Sequence, residues 1–319
     1  MTLKILVTGG IGLVGDAIYN ERHIVKFDET VQWCFLASKE CDLRNTNDVE
    51  ELFATFKPEI VIHLAAKVGG LFANMSNNYN MLSDNIKINI NILDACKKYN
   101  IKRLINILST CVFPAKDVTY PLSSDQILNG PPDKSNEGYA IAKRLLYSGS
   151  KLLSNCSNTL VINLTPTNLF GKNDNYNLLN GHVIPSLIHK CYISQRNNSN
   201  LFLPGTGKAL RQFVYANDFA KIILQFIQLP LKQKITNIIV SPPIDNEISI
   251  QQLVTSITDE LDFKRLIIFD NKSSDGQLLK SCDNSELNVH LPNFQFTPFN
   301  KALKETIHHF KINYQHIRK

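Results

Sequence analysis

No apolar run in the 319 residues approaches the ~18 to 20 positions needed to cross a bilayer. The opening, "MTLKILVTGG", passes from Met into an extended apolar stretch with no basic region, signal-type core or cleavage site. A non-secreted, cytoplasmic protein without a membrane partner is therefore expected. Cysteine is sparse and unpatterned: the seven, at 34, 41, 96, 111, 156, 191 and 282, are odd in number and contain no CxxC pair. That spacing indicates neither a disulfide framework nor a zinc knuckle, suits a reducing compartment, and leads us to expect no metal. The net charge of +6 is spread along the chain without a block of like sign, so nothing in it supports nucleic acid binding. A surplus of that size would also serve a pocket for a phosphorylated small molecule. Sequons at Asn155 and Asn163 carry no weight in an asparagine-rich chain without a secretory signal.

What is present is alternation. "KILVTGG", "VQWCFLAS", "EIVIHLAA" and "RLINILS" read as strands, separated by helical patterns from about Leu13, around "DVEELFATF", and from about Asn85 to Tyr99. Strands that alternate with helices argue for a parallel sheet with crossover helices, and continuous apolar runs argue that both sheet faces are covered. After "TLVINLTPTNLFG" the regularity breaks into short elements rich in Asn, Pro and Gly. The expected fold class is α/β, a Rossmann-type doubly wound parallel sheet in residues 1–170, to which the chain returns at about 212–243. A smaller mixed α/β region comprises 171–211 and 244–319. Near the end, "NFQFTPFNKALKETIHHFKINY" predicts a turn, Pro298 and a packing helix.

"TGGIGLVG" satisfies GxGxxG at Gly10, Gly12 and Gly15 and GxxGxxG at Gly9, Gly12 and Gly15, directly after a strand and opening a helix. Glycines there permit a tight turn and close approach of backbone to a pyrophosphate, and the helix N-terminus offers unpaired N–H groups. With Ile11, Leu13 and Val14 the loop forms the expected dinucleotide cradle. An acid about 20 residues on would hold the adenosine ribose, and Asp28 lies at that distance. The better second strand, however, ends at Ala37 with Ser38 and Lys39, a hydroxyl and a cation that would welcome a 2′-phosphate. NADP(H) is therefore expected in preference to NAD(H). Asp42 could reach the adenine amino group or merely cap the next helix.

"GYAIAK" places Tyr139 and Lys143 four apart on one helical face. An ammonium near a phenol favours phenolate and lowers a pKa of about 10, making the pair a usable proton donor. Alone, the pattern reads more readily as a tyrosine packing beside a surface lysine. Ser109 adds a hydroxyl at a strand end, where the crevice of an open α/β sheet binds ligands. Ser109, Tyr139 and Lys143 there can bind a carbonyl oxygen, protonate it and hold a nicotinamide ribose. Cys111, in "STCVFP", is by itself most simply a small buried side chain.

"GGIGLVG", "HLAAKVGG", "LSTCVFP", "GYAIAK", "PTNLFGKNDN", "GHVIPSLIHK" and "RQFVYANDFAK" together resemble the GDP-L-fucose synthases of the extended short-chain dehydrogenase/reductase superfamily, over most of the chain. The resemblance implies a 3,5-epimerase and 4-reductase that converts GDP-4-dehydro-6-deoxy-D-mannose to GDP-L-fucose with NADPH. On this sequence it makes Cys111 the base and His182 the acid of epimerisation, with Tyr139 protonating the oxygen on reduction. It implies that Leu64, Ala65, Ala66, Ile107, Leu108, Pro166, Thr167, Asn168, Leu169 and His182 line the cofactor site. Lys190, Pro204, Arg211 and Asp275 would bind the nucleotide-sugar, and the second region becomes the substrate-binding domain. A homodimer joined through helices, including that of "YAIAK", is also implied. Two departures stand out: Ile11 where relatives often carry Ser, and Pro204 where relatives often carry an aromatic. Another nucleotide-sugar epimerase or dehydratase would share the glycines and Tyr/Lys without needing Cys111 and His182. A non-catalytic dinucleotide sensor that kept the fold would need the glycines but not Ser109, Tyr139 and Lys143 together.

Overall fold

Ile5, Leu6 and Val7 are buried in unbroken succession, as are Val61 with Ile62 and Leu104 with Ile105, because helices cover both faces of the sheet they build. The computed structural model describes residues 2–27, 29–231, 233–272 and 275–319. Asp28, the rival ribose ligand, and Ser273 and Ser274 lie outside the described residues. The first half runs β1 (Thr2–Thr8), α1 (Leu13–Glu21), β2 (Thr30–Leu36), α2 (Thr46–Phe56), β3 (Ile60–His63), α3 (Leu71–Ser76), α4 (Asn78–Lys98), β4 (Arg103–Ile107), α5 (Glu137–Cys156) and β5 (Leu160–Pro166). Shorter elements follow: β6 (Asn168–Phe170), α6 (Val183–Arg196), β7 (Leu201–Pro204), β8 (Leu210–Arg211), β9 (Phe213–Tyr215), α7 (Ala216–Gln228) and β10 (Ile235–Val240). The chain closes with β11 (Ile248–Ser249), α8 (Ile250–Glu260), β12 (Ile267–Asp270), α9 (Ser285–His290) and α10 (Phe299–Ile312).

The six strands of the main sheet are parallel and ordered β10-β5-β4-β3-β1-β2. From β1 the chain steps out to β2 and then returns to the other side of β1 with β3. The order thus reverses between β1 and β3, and a crevice opens at their carboxyl ends. Side chains alternate across the sheet: Ile5 and Val7 pack with α1 and α7, while Leu6, Val61 and Leu104 pack with α2, α4 and α5. A second core gathers α6, α8 and α10 around β7 and β9, with Phe170, Tyr176, Ile188, Leu253 and Phe310 at its centre. Among the described residues no helix is long and apolar enough to cross a membrane.

Local signals explain the boundaries. Asn45 caps α2 by accepting from the Asn47 N–H at 3.0 Å, and Lys57 ends it in the left-handed conformation, φ 52°. The Ser249 and Gln252 side chains form a reciprocal capping box on α8. Two expectations need correction. Helix α4 begins at Asn78, not near Asn85, because its buried face carries Asn85, Asn89 and Asn91, polar residues that hide the apolar period. The stretch around α9, grouped by pattern with the second region, packs Leu287, Leu291, Phe294 and Phe296 against the first core, where α9 lies on β10.

Candidate active site

The glycine loop leaves β1 through Gly9, at φ +69°, a conformation that L side chains rarely adopt. The Gly10 N–H donates to the Leu36 carbonyl at 2.9 Å, and a Cβ on Gly10 would lie 2.6 Å from Phe35 backbone atoms. A Cβ on Gly15 would lie 2.4 Å from the Gly10 carbonyl oxygen. These two glycines therefore let strand, turn and helix close on one another. Gly12, the N-cap of α1, leaves its first N–H groups without a side-chain cap. The Ile11 side chain is exposed at this turn. Ser38 and Lys39 follow β2 in an exposed turn, and Glu40 there accepts from the Ala37 N–H at 2.7 Å.

Asp42 does not cap α2, since Asn45 does. Its carboxylate is gripped by Arg44, with guanidinium contacts of 2.8 and 2.9 Å, and that pairing holds its pKa down to about 2. Across the crevice, Leu64, Ala65 and Ala66 follow β3. The Ala65 N–H donates to Thr8 Oγ1 at 3.2 Å, and Thr8 Oγ1 lies 2.9 Å from His63 Nδ1. His63 Nε2 lies 3.2 Å from Asn89 Oδ1, whose amide donates to the Ala142 carbonyl at 3.0 Å. Asn89 Oδ1 must accept, so Nε2 carries the proton and Nδ1 accepts from Thr8. Burial, with Lys143 nearby, pushes the His63 pKa down to about 3. Sequence reading missed this chain, because a lone His in an apolar strand reveals no partner.

Strand β4 delivers Ile107, Leu108 and Ser109 to the crevice, and Ser109 Oγ caps a short 3-10 turn by accepting from the Cys111 N–H at 3.4 Å. Lys143, buried on α5, donates to the Ile107 carbonyl at 2.6 Å and stands 5.8 Å from the centre of the Tyr139 ring. Burial draws the Lys143 ammonium down to about 8, with Cys111 opposing. Burial pushes the Tyr139 phenol upward, and the Cys111 charge adds to it. The expectation that Lys143 would lower the phenol is not met: loss of hydration on burial dominates, and Cys111 pushes the same way. Tyr139 is thus held as a protonated donor.

Cys111 is buried but keeps 7% of its surface open. Burial pushes its thiol up, while the Ser109 hydroxyl, Lys280 and Lys143 draw it back. Lys280 is the missed member of this group: it ends the irregular stretch "DGQLLK", and only folding brings it near Cys111. The Leu122 N–H donates to the Ser281 carbonyl at 2.8 Å and the Tyr120 hydroxyl to the Leu279 carbonyl at 2.9 Å, fixing that loop beside the 3-10 turn. Arg144 donates to the Val112 and Gly130 carbonyls, both at 2.7 Å, and braces the same turn.

His182 is the N-cap of α6, with half of its side chain reached by solvent, and its Nδ1 stands 3.8 Å from Asp174 Oδ1. No hydrogen bond or ion pair among the described residues joins His182 to Cys111 or Tyr139. Its loop is tied to the crevice by the Gly70 N–H, which donates to the Asn180 carbonyl at 3.0 Å. Thr167 and Asn168 donate backbone N–H groups to the Val240 and Gln212 carbonyls at 3.0 and 3.2 Å, which sets residues 166–169 at the ends of β5 and β10.

Of the expected nucleotide-sugar ligands, Lys190 on α6 and Arg211 on β8 are partly buried cations, and burial lowers the pKa of each. Burial lowers the Lys280 pKa, and nearby Arg211 depresses it further. Both Asp275 oxygens are engaged by Thr206, through its N–H at 2.6 Å and its hydroxyl at 2.5 Å, so this carboxylate holds the 205–207 turn. Pro204 is exposed at the end of β7, beside Asp270 of β12.

A dinucleotide cradle at the switch of a parallel sheet, facing a serine, a tyrosine and a buried lysine, defines a nicotinamide-dependent enzyme of the short-chain dehydrogenase/reductase type. The NAD dependent epimerase/dehydratase family matches residues 5–239. A GDP-L-fucose synthase of Dictyostelium discoideum is 43% identical over 319 residues, 99% of this chain and 97% of its own length. A probable GDP-L-fucose synthase of Drosophila melanogaster is 36% identical, over 99% of both chains. The crystal structure of a GDP-L-fucose synthetase from Naegleria fowleri bound to NADP superposes with a TM-score of 0.89 at 40% identity, covering 99% of this chain and 95% of that one. The chain belongs to the NAD dependent epimerase/dehydratase family and, within it, to the GDP-L-fucose synthases.

Proposed function

We infer that this chain converts GDP-4-dehydro-6-deoxy-D-mannose to GDP-L-fucose, inverting the carbons on either side of the ketone and then reducing it with NADPH. The observation that carries this reading is the gathering of Ser109, Cys111, Tyr139 and Lys143 at the carboxyl end of β4, in a chain similar over its full length to such synthases. The glycine loop fits the coenzyme, since backbone alone lines the turn and α1 opens without a side-chain cap. Ser38 and Lys39 would meet the 2′-phosphate, and Lys143 the nicotinamide ribose. NADPH, when bound, supplies the hydride for the ketone carbon.

A C–H beside a ketone is acidified, so inversion requires a base on one face and an acid on the other. Cys111 is the proposed base: as thiolate it removes the proton, and the electron pair passes to the ketone oxygen as an enolate. His182 is the proposed acid, returning a proton to carbon from the opposite face. Ser109 holds the carbonyl oxygen, and Tyr139 protonates that oxygen in the reductive step. Lys190, Arg211 and Lys280 are the cations for the diphosphate, whose charge would relieve the mutual repulsion of Arg211 and Lys280. We assign substrate binding to residues 171–211 and 244–319, apart from the stretch around α9. A cytoplasmic homodimer joined through helices including α5 completes the reading.

Incubation of the purified protein with GDP-4-dehydro-6-deoxy-D-mannose and NADPH tests it. Consumption of NADPH with formation of GDP-L-fucose is expected. Oxidation of NADPH yielding the unepimerised 4-alcohol would mark a plain reductase, and no turnover at all would reject the assignment.

A further inference from the structure

The asparagine-rich stretch "NDNYNLLNG" has little regular structure, yet side chains tie its backbone at almost every step. The Asn175 N–H donates to Asp174 Oδ1 at 2.7 Å and the Asn177 N–H to Asn175 Oδ1 at 3.1 Å. Asn177 Oδ1 then accepts from the Leu179 and Asn180 N–H groups at 3.0 and 2.8 Å. Tyr176, wholly buried in the second core, donates its N–H to the Arg318 carbonyl at 2.8 Å, and its own carbonyl lies 2.7 Å from His189 Nδ1. The position of Asp174 is thus set by the loop and not by His182. Asp174 is only 4% exposed, its Oδ2 has no hydrogen-bond partner, and Oδ1 stands 3.8 Å from His182 Nδ1.

We propose that Asp174 is the positioning residue for His182: its buried carboxylate takes the Nδ1–H of the imidazole and turns the opposite edge, with Nε2, toward the open cleft. This deepens the acid role given to His182 above and rests on that reading. The 3.8 Å separation is an ion-pair distance, longer than a hydrogen bond, and such contacts tighten when substrate closes the site. A buried carboxylate oxygen without a donor is costly. An Nδ1–H drawn closer would give this carboxylate a second donor beside the Asn175 N–H.

Charge supplies the second half of the argument. The groups facing the ring are Asp174, Arg318 and the N-terminus of α6, whose partial positive charge sits where His182 caps the helix. Asp174 favours protonation of the imidazole, while loss of hydration, Arg318 and the helix end oppose it. Asp174 outweighs them, and the His182 pKa stands above its ordinary 6.5. An acid that must give its proton to carbon near neutrality needs that excess. When Nε2–H protonates the carbon, the ring becomes neutral with its remaining proton on Nδ1, still held by Asp174. Solvent then reprotonates Nε2.

The test uses Asp174→Asn, which keeps an oxygen for the Asn175 N–H and so preserves the loop, and Asp174→Glu, which keeps the charge. Histidine NMR titration of the full-length protein, with His182 assigned by comparison with His182→Gln, should show its pKa fall by about one unit or more in Asp174→Asn, and Asp174→Glu should restore part of it. Solvent-deuterium incorporation into the sugar at pH 8 should slow about tenfold in Asp174→Asn and recover toward acid pH, while reduction of an already epimerised ketone stays within about twofold. An unchanged titration and pH profile in Asp174→Asn would overturn the pairing, and equal loss in both steps would reduce Asp174 to a structural role. If His182→Gln left deuterium incorporation intact, the acid role itself would fall, and the titration would still decide the pairing on its own.

Discussion

The Lys143 ammonium donates to the Ile107 carbonyl at 2.6 Å and so fastens α5 to the carboxyl end of β4, two residues before Ser109. Burial holds this ammonium near pKa 8, well below its ordinary value, so it loses its proton as pH rises through that point. Tyr139 cannot supply a limb there, because burial moves its phenol the other way. Reduction of an already epimerised ketone in single turnover should be flat below pH 8 and fall by about tenfold per unit above it. A rate that stays level to pH 10 would detach Lys143 from the step.

Cys111 separates the two chemistries. With its thiol pushed up by burial, it should be slow to alkylate at pH 7, whereas the exposed Cys156 reacts first, as peptide mapping after iodoacetamide would show. Its reaction should quicken as pH rises. Lys280→Met, which removes a cation that draws the thiol down, should slow it further at pH 8. Cys111→Ser should slow solvent-deuterium incorporation at the sugar carbons by about 10²- to 10⁴-fold and spare reduction of the epimerised ketone. Equal losses in the two steps would contradict separate roles.

The parallel sheet, the glycine loop and the Tyr139/Lys143 helix were legible because each is a local pattern: continuous apolar strands, glycines at fixed offsets, two side chains four apart. Lys280 was not, since its approach to Cys111 depends on a loop docked through Leu122 and Tyr120, more than a hundred residues away. Asp174 and His63 were hidden for a related reason, as their significance lies in a partner that only folding supplies. The sign of the Tyr139 shift was also beyond reach. Spacing shows that a lysine is near a phenol, but not how little water reaches it.

Arg211 lies near enough to Lys280 to help depress its pKa, and no carboxylate is bound directly to either among the described residues, an arrangement that a diphosphate would stabilise. Losing a charge-assisted hydrogen bond costs about 1.5 to 3 kcal/mol. Arg211→Ala should therefore raise KM for the GDP-sugar about 10- to 100-fold and change kcat little. A drop confined to kcat would move Arg211 from binding to catalysis.

His63 gives the fold a distinct acid response. Its folded value is about 3 against an ordinary 6.5, so between these values the unfolded chain takes up a proton that the folded chain refuses. The stabilisation is complete above pH 6.5 and is lost as pH falls toward 3, by up to about 1.4 kcal/mol per unit. His63→Leu removes this titration but strands the Thr8 hydroxyl and Asn89 Oδ1, each at a cost of about 1 to 3 kcal/mol. Urea unfolding should show the variant clearly less stable at pH 7 and the gap narrowing at pH 6 and pH 5, as the parent loses what the variant never had. Parallel declines would place the acid sensitivity elsewhere in the chain. Because Asn89 also holds the Ala142 carbonyl beside Lys143, the same variant should lower the rate of reduction even where it remains folded.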